Sequence, residues 1–167
     1  PAFAGVDIVA WREAHRPLVE RASFLIAPSR WAAGALARFY PSARVRVVPH
    51  GIPEATPRHA GTRLAVMLPD DGVPTVAVLG AVGPDKGARR IERLVELARE
   101  RGTSVRFVLI GYLDRQHAAW QSDDARFTVH GRYDPRDLPD LLAHYRVSLV
   151  LYPSAGPETF SYTLSEA

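Results

Sequence analysis

Four short apolar runs, each closed by glycine or proline, constrain what this chain can fold into. They are TVAVLG (Thr75 to Gly80), VRFVLIG (Val105 to Gly111), RFTVHG (Arg126 to Gly131) and VSLVLYP (Val147 to Pro153). Near-continuous apolar runs of this length read as strands buried on both faces. Between them lie stretches with helical spacing. Lys86 to Arg101 carries Ile91, Leu94, Val95 and Ala98 on one face, DPRDLPDLLAHY spans Asp134 to Tyr145, and a helical patch is expected near His117 to Gln121. Doubly buried strands joined by helices imply a parallel sheet with helices on both faces, and right-handed crossovers make it a Rossmann-like, doubly wound α/β domain. Ligands of such sheets bind beyond the carboxyl ends of the strands. Three strand ends carry loops suited to this: GAVGPDKG, GYLD and PSAGPE.

Upstream, FLIAP (Phe24 to Pro28) reads as a short buried strand. Ser29 is placed to cap a helix over Trp31 to Tyr40, and VRVVPHGIP (Val45 to Pro53) reads as a strand ending in a Pro/Gly break. From Glu54 to Pro74 the chain is rich in Pro, Thr, Gly and Asp, as a connector is.

Composition removes several function classes. The absence of cysteine excludes a disulfide framework and a thiolate metal site. Six scattered histidines without ligand spacing argue against any metal, with His50 read as a hinge or interdomain residue and His130 as a weak pocket candidate. No run approaches the roughly 18 apolar residues of a membrane span, and no secretory pattern opens the sequence, so the cytoplasm is the expected location. The 21 basic residues are 20 Arg and one Lys, and Asn is absent, a skew that fits a GC-rich genome. The arginines form no stripe interleaved with aromatics, so nucleic acid is not an expected partner. Trp11, Trp31 and Trp120 are read as packing or interface residues.

Two segments carry chemistry. GAVGPDKG has glycines at 80, 83 and 87, which matches neither G-x-G-x-x-G nor the P-loop pattern, because the lysine precedes its glycine. What remains is a strand-end loop delivering one cation, Lys86, to a helix N-terminus. There it opposes the helix dipole but suits a bound phosphate. PSAGPETFSYTLSEA places Glu158 ahead of a helix start and Glu166 eight residues on (166 − 158), about two turns along the helix. Strand, tight loop and helix start together form an anion-binding geometry.

Taken in order, PSR (Pro28 to Arg30), VVPHGI (Val47 to Ile52), GAVGPDKG, FVLIGYLD, FTVHGRYD and PETFSYTLSEA resemble the retaining group 1 (family 4) glycosyltransferases of the GT-B fold, over about residues 24–167. The resemblance implies that residues 1–50 are the tail of a first domain with a hinge strand, and 51–74 a connector. Residues 75–167 would be a nucleotide-sugar-binding domain, truncated at its C-terminus and inactive alone. It also implies a hexosyl donor carried on UDP or GDP and a role in bacterial polysaccharide biosynthesis. The acceptor would be a saccharide or a lipid-linked molecule bound by the first domain, which leaves room for peripheral membrane association of the full protein.

Carried over by position, Lys86 would neutralise the donor diphosphate beside Gly83, and Glu158 would lie near the transferred sugar. Glu166 would hold the ribose. Thr159 and Phe160 would present amides to the sugar, and Tyr162 and Thr163 would present theirs to the pyrophosphate. Gly131, Arg132 and Tyr133 would border the nucleobase. No cofactor and no metal are implied, because cations and amides would hold the leaving group. Many relatives carry an arginine where this chain has Ala81. Either Lys86 and the helix terminus suffice, or Arg89 or Arg90 substitutes, or donor binding is weak. A GT-B nucleotide-sugar epimerase and a non-catalytic nucleotide-sugar or partner-binding module are the alternatives.

Overall fold

The computed structural model describes residues 5–51, 66–115, 117–154, 156, 158, 159 and 161–163. By their contacts they form two units, one of residues 1–52 with 158–161, the other of 53–157 with 162–167.

The first unit contains α1 (Ile8–Arg21), β1 (Leu25–Ala27), α2 (Arg30–Phe39) and β2 (Val45–Val47). Asp7 caps α1 by accepting from the amides of Val9 and Ala10, and Ser29 caps α2 by accepting from Ala32. β1 and β2 pair in parallel, and α2 forms the crossover between them. Tyr40 ends α2 buried, with its hydroxyl donating to the Arg12 carbonyl of α1 at 3.3 Å. The sequence patterns identify β1, α2 and β2 but not α1, which buries no residue and has Pro17 inside it.

The second unit contains β3 (Thr75–Val82), α3 (Ala88–Glu100), β4 (Arg106–Leu113), β5 (Trp120–Gln121), β6 (Phe127–Val129), α4 (Leu138–His144) and β7 (Val147–Val150). A 3-10 turn over Pro135–Asp137 leads into α4, and its N-cap Asp134 accepts from the Arg136 amide. The strand order is β5-β6-β4-β3-β7, with β5 antiparallel to β6 and every other pairing parallel. This is an α/β unit with a mixed, mostly parallel sheet flanked by helices, consistent with a Rossmann-like fold.

The two-residue period of a strand sorts side chains between the sheet faces. Val78, Val82, Phe107, Leu109, Phe127 and Val129 pack with Ile91, Val95 and Ala98 of α3. Ala77, Leu79, Val108 and Ile110 pack with Leu138, Leu141 and Tyr145 at α4. Both faces are therefore covered, which is why these strands read as continuous apolar runs.

Three elements differ from expectation. β1 and β7, expected as buried strands, leave Ile26 and Leu149 more than half exposed, β7 because it is the edge of its sheet and β1 because its sheet has only two strands. The helical patch near His117 to Gln121 is not formed, and Trp120 and Gln121 instead pair with Val129 and Thr128. Local bonds fold the chain back onto β6: the Ser122 hydroxyl donates to Asp124 and accepts from the Phe127 amide, and Ala125 takes a left-handed φ of 53°. Five residues between a turn and a strand partner are too few to nucleate a helix against that pairing.

β3 and β4 stay in register from Thr75↔Arg106 to Val82↔Leu113, which brings Gly80 beside Gly111. Gly111 has φ +139°, and a methyl built there would lie 1.9 Å from the Gly80 carbonyl oxygen. Gly111→Ala should therefore cost about 2 kcal/mol or more by overpacking and backbone strain. Gly102→Ala, at φ +62° with open space around it, should cost about 1 kcal/mol. Urea-unfolding midpoints of the two variants compare them, and equal losses would mean that the close approach at Gly111 carries no weight.

Candidate functional site

From β3 the chain winds through α3 to β4 and on to β6, then returns through α4 to β7 on the other side of β3. The winding direction reverses between β3 and β7, and at such a switch point a doubly wound sheet opens a crevice above its carboxyl edge. The loop Gly83 to Gly87 follows β3 there, and Leu151 to Ser154 follow β7.

The β3 loop is self-contained. The Gly83 carbonyl accepts from the amides of Lys86 and Ala88, both at 3.1 Å, and Pro84 accepts from Gly87 at 3.2 Å. These amides are spent within the loop, so what it presents outward is side chains, among them Lys86 and the neighbouring carboxylate of Asp85. Lys86 is exposed and pairs with no carboxylate among the described residues. It precedes α3 by two residues, with Gly87 as the left-handed N-cap between.

Gly87 and Arg90 fasten this loop to the one after β7. At φ +88° a methyl on Gly87 would stand 2.1 Å from the Pro153 carbonyl oxygen, so only glycine permits the approach. The Arg90 guanidinium donates to the carbonyls of Pro153 at 3.3 Å and Ser154 at 2.6 Å. Arg90 is thus a clamp between loops. Sequence patterns could not show this, because its partners lie 63 and 64 positions away.

The motif segment returns over the same strand end. Tyr162 and Thr163 are helical, and the Tyr152 hydroxyl donates to the Thr163 carbonyl at 2.8 Å. Thr163 Cγ2 would stand 3.1 Å from a methyl on Gly80. Tyr162 is 47% exposed. Gly83, Lys86, Tyr162 and Thr163 all belong to the second unit.

Glu158 and Thr159 are exposed and belong to the first unit, where the Ser29 hydroxyl donates to the Thr159 carbonyl at 2.7 Å while still capping α2. Phe160 and Glu166 lie outside the described residues.

Two features at the strand ends were not anticipated. The Asp114 carboxylate, just after β4, lies so near Gly83 that a methyl there would come within 2.7 Å of Oδ2. An anion at this loop would feel that charge. Beyond β6, Gly131 is tight against the backbone of His117 to Ala119, and the Arg132 guanidinium stacks on the Tyr112 ring at 4.8 Å. Tyr133 is half-buried against the core on the α4 side. Ala81 is exposed and pairs in register with Tyr112.

His130, at the end of β6, is buried and shares a 2.8 Å hydrogen bond between Nδ1 and the hydroxyl of Tyr145, itself 1% exposed. Burial, and then the nearby His144, push the His130 pKa below the usual imidazole value, and burial pushes Tyr145 up to about 12. Among the described residues no group of three or more side chains is arranged to hold a metal ion. No protein-family model, curated protein or solved structure matches this chain at a significant level.

The depressed His130 pKa has a definite pH consequence. Below the unfolded imidazole pKa, about 6.5, the unfolded chain binds a proton that the folded one refuses. Stability should be intact above that pH and fall as the pH drops through it, levelling off below the folded pKa. A series of melting temperatures from pH 8 to pH 5 should show this decline, and His130→Gln should flatten it. A variant with an unchanged slope would assign the decline to other groups.

Proposed function

We propose that this chain is the donor-binding part of a retaining glycosyltransferase of the GT-B type, which transfers a hexosyl group from a nucleotide sugar to an acceptor. The observation that carries the reading is Lys86: the chain's only lysine, exposed and unpaired among the described residues, on an internally hydrogen-bonded loop at the switch point. Thr163, which with Tyr162 is helical, lies over the end of β3. A cation at the end of a central strand suits a diphosphate, whose negative charge grows as the glycosyl bond breaks. Interactions that strengthen in step with that charge lower the barrier.

In this reading Lys86 stabilises the leaving diphosphate and needs no metal. Glu158 addresses the transferred sugar and Glu166 the ribose hydroxyls. Arg132, held on Tyr112, borders the base. Arg90 does not replace the missing arginine at Ala81, because its guanidinium is engaged with two carbonyls. The acceptor is a saccharide or a lipid-linked molecule, and a cytoplasmic location with peripheral membrane association fits it. Among the described residues no helix is long and apolar enough to cross a membrane.

A second reading, a module that binds nucleotide sugar without transfer, draws support from Ala81 and from Asp114 beside the loop. Incubation with radiolabelled UDP-glucose and GDP-mannose, with and without saccharide acceptors, separates the cases. Transfer requires an acceptor, epimerisation does not, and a binding module returns the donor unchanged.

UDP or GDP should raise the melting temperature in EDTA, whereas uridine and guanosine should not. Equal protection by nucleosides would sink the phosphate assignment. Lys86→Ala should weaken diphosphate binding by about 1.5–3 kcal/mol, the worth of a charge-assisted hydrogen bond, and Asp114→Asn should strengthen it. The glutamates should divide the work: Glu166→Gln weakens nucleoside diphosphate and nucleotide sugar alike, and Glu158→Gln costs affinity for the sugar nucleotide alone. Calorimetric titration of both variants with both ligands checks this, and identical behaviour would overturn the division.

A further inference from the structure

Parallel neighbours such as β4 and β6 are ordinarily joined by a helix that covers one sheet face. Here the described residues of the connection 114–126 hold only the two-residue β5. The face beside α3 is left open at that point, and a groove of about 400 Å3 occupies it, within the roughly 300–1,000 Å3 of small-ligand clefts. The β5 register decides which side chain enters. Trp120 pairs with Val129 of the α3-side core and so shares its face, while Gln121 pairs with Thr128 and bonds its hydroxyl on the other.

The groove has a definite chemistry. Trp120 is 45% exposed and is braced edge-on by Phe127 at 5.9 Å. α3 contributes Glu92, Glu96 and Arg99, and Arg115 comes from just beyond β4. Two carboxylates and two guanidinium groups sum to zero charge, so the groove does not select an ion. It sets planar bidentate acceptors and donors beside a large aromatic surface. Arg99 is fixed by two bonds to Asp124, at 2.6 and 2.9 Å, and Glu96 is paired with Arg93. Glu92 and Arg115 pair with no charged group among the described residues and remain available to a ligand.

An uncharged ring with vicinal hydroxyls that both donate and accept, and with an apolar C–H face to lie on an indole, satisfies all of these conditions. That description is a pyranose. A partner helix fits less well, because half of the lining side chains are charged. We propose that this groove binds one or two sugar units of a neutral saccharide, stacked on Trp120 and hydrogen-bonded by Glu92 and Arg115. The site goes beyond the donor reading and needs neither Lys86 nor a nucleotide.

Replacing Trp11 and Trp31 by Phe, both exposed in the first unit, leaves Trp120 as the only indole. Its emission is then titrated with maltohexaose, cellohexaose and mannohexaose at millimolar concentration. The expected result is a saturable change with at least one of them, weakened about tenfold or more by Glu92→Gln or Arg115→Ala and untouched by Lys86→Ala. No saturable response to any of the three overturns the proposal, as does a response that neither groove variant weakens. A response to the apolar dye anilinonaphthalene sulfonate alone also overturns it, in favour of a protein-docking surface. Saccharide binding that persists where nucleoside diphosphates fail to bind would sink the donor reading and leave this one standing.

Discussion

The parallel ladder between β3 and β4 is the constraint on which the second unit depends. Eight paired positions, from Thr75↔Arg106 to Val82↔Leu113, fix both the direction and the height of the two central strands. A one-residue slip would exchange the faces of Val78 and Leu79, presenting each cluster's side chains to the wrong helix. The ladder also sets the level at which the chain leaves the sheet. Gly80 and Gly111 meet at its upper end, and the loops carrying Lys86 and Asp114 start within four residues of them. The geometry of the candidate crevice is therefore inherited from packing below it.

That inheritance explains what the sequence could and could not reveal. β3, β4 and β6 were legible because burial on both faces writes itself into composition, and α3 because Ile91, Val95 and Ala98 repeat at helical spacing. Lys86 was legible as the cation of a strand-end loop. β5 was not, since two residues have no period and their pairing with Val129 and Thr128 is decided by a turn. The clamp by Arg90 and the placement of Asp114 against Gly83 were not legible either, because both depend on residues brought together by the fold alone. α1 escaped notice for a simpler reason: a helix that buries nothing leaves no apolar stripe.

The electrostatics of the crevice is a balance of few charges. Lys86 stands without a partner among the described residues, Arg90 is turned to the Pro153 and Ser154 carbonyls, and Asp114 faces the loop with the opposite sign. An anion arriving here would meet the exposed carboxylate of Asp85 and that of Asp114 as well as the Lys86 cation, so net charge alone would not hold it. Ser29 shows a similar economy in the first unit, where one hydroxyl both caps α2 and holds the Thr159 carbonyl.

The ends of the sheet differ in a way that bears on self-association. On one side the edge is β5, whose two antiparallel residues are too short to template another chain. On the other it is β7, four residues long, with Leu149 58% exposed. Among the described residues, the edge long enough to pair with another strand is therefore β7. A charged side chain at position 149 would act there as a gatekeeper, at a distance in sequence from both the Lys86 loop and the Trp120 groove.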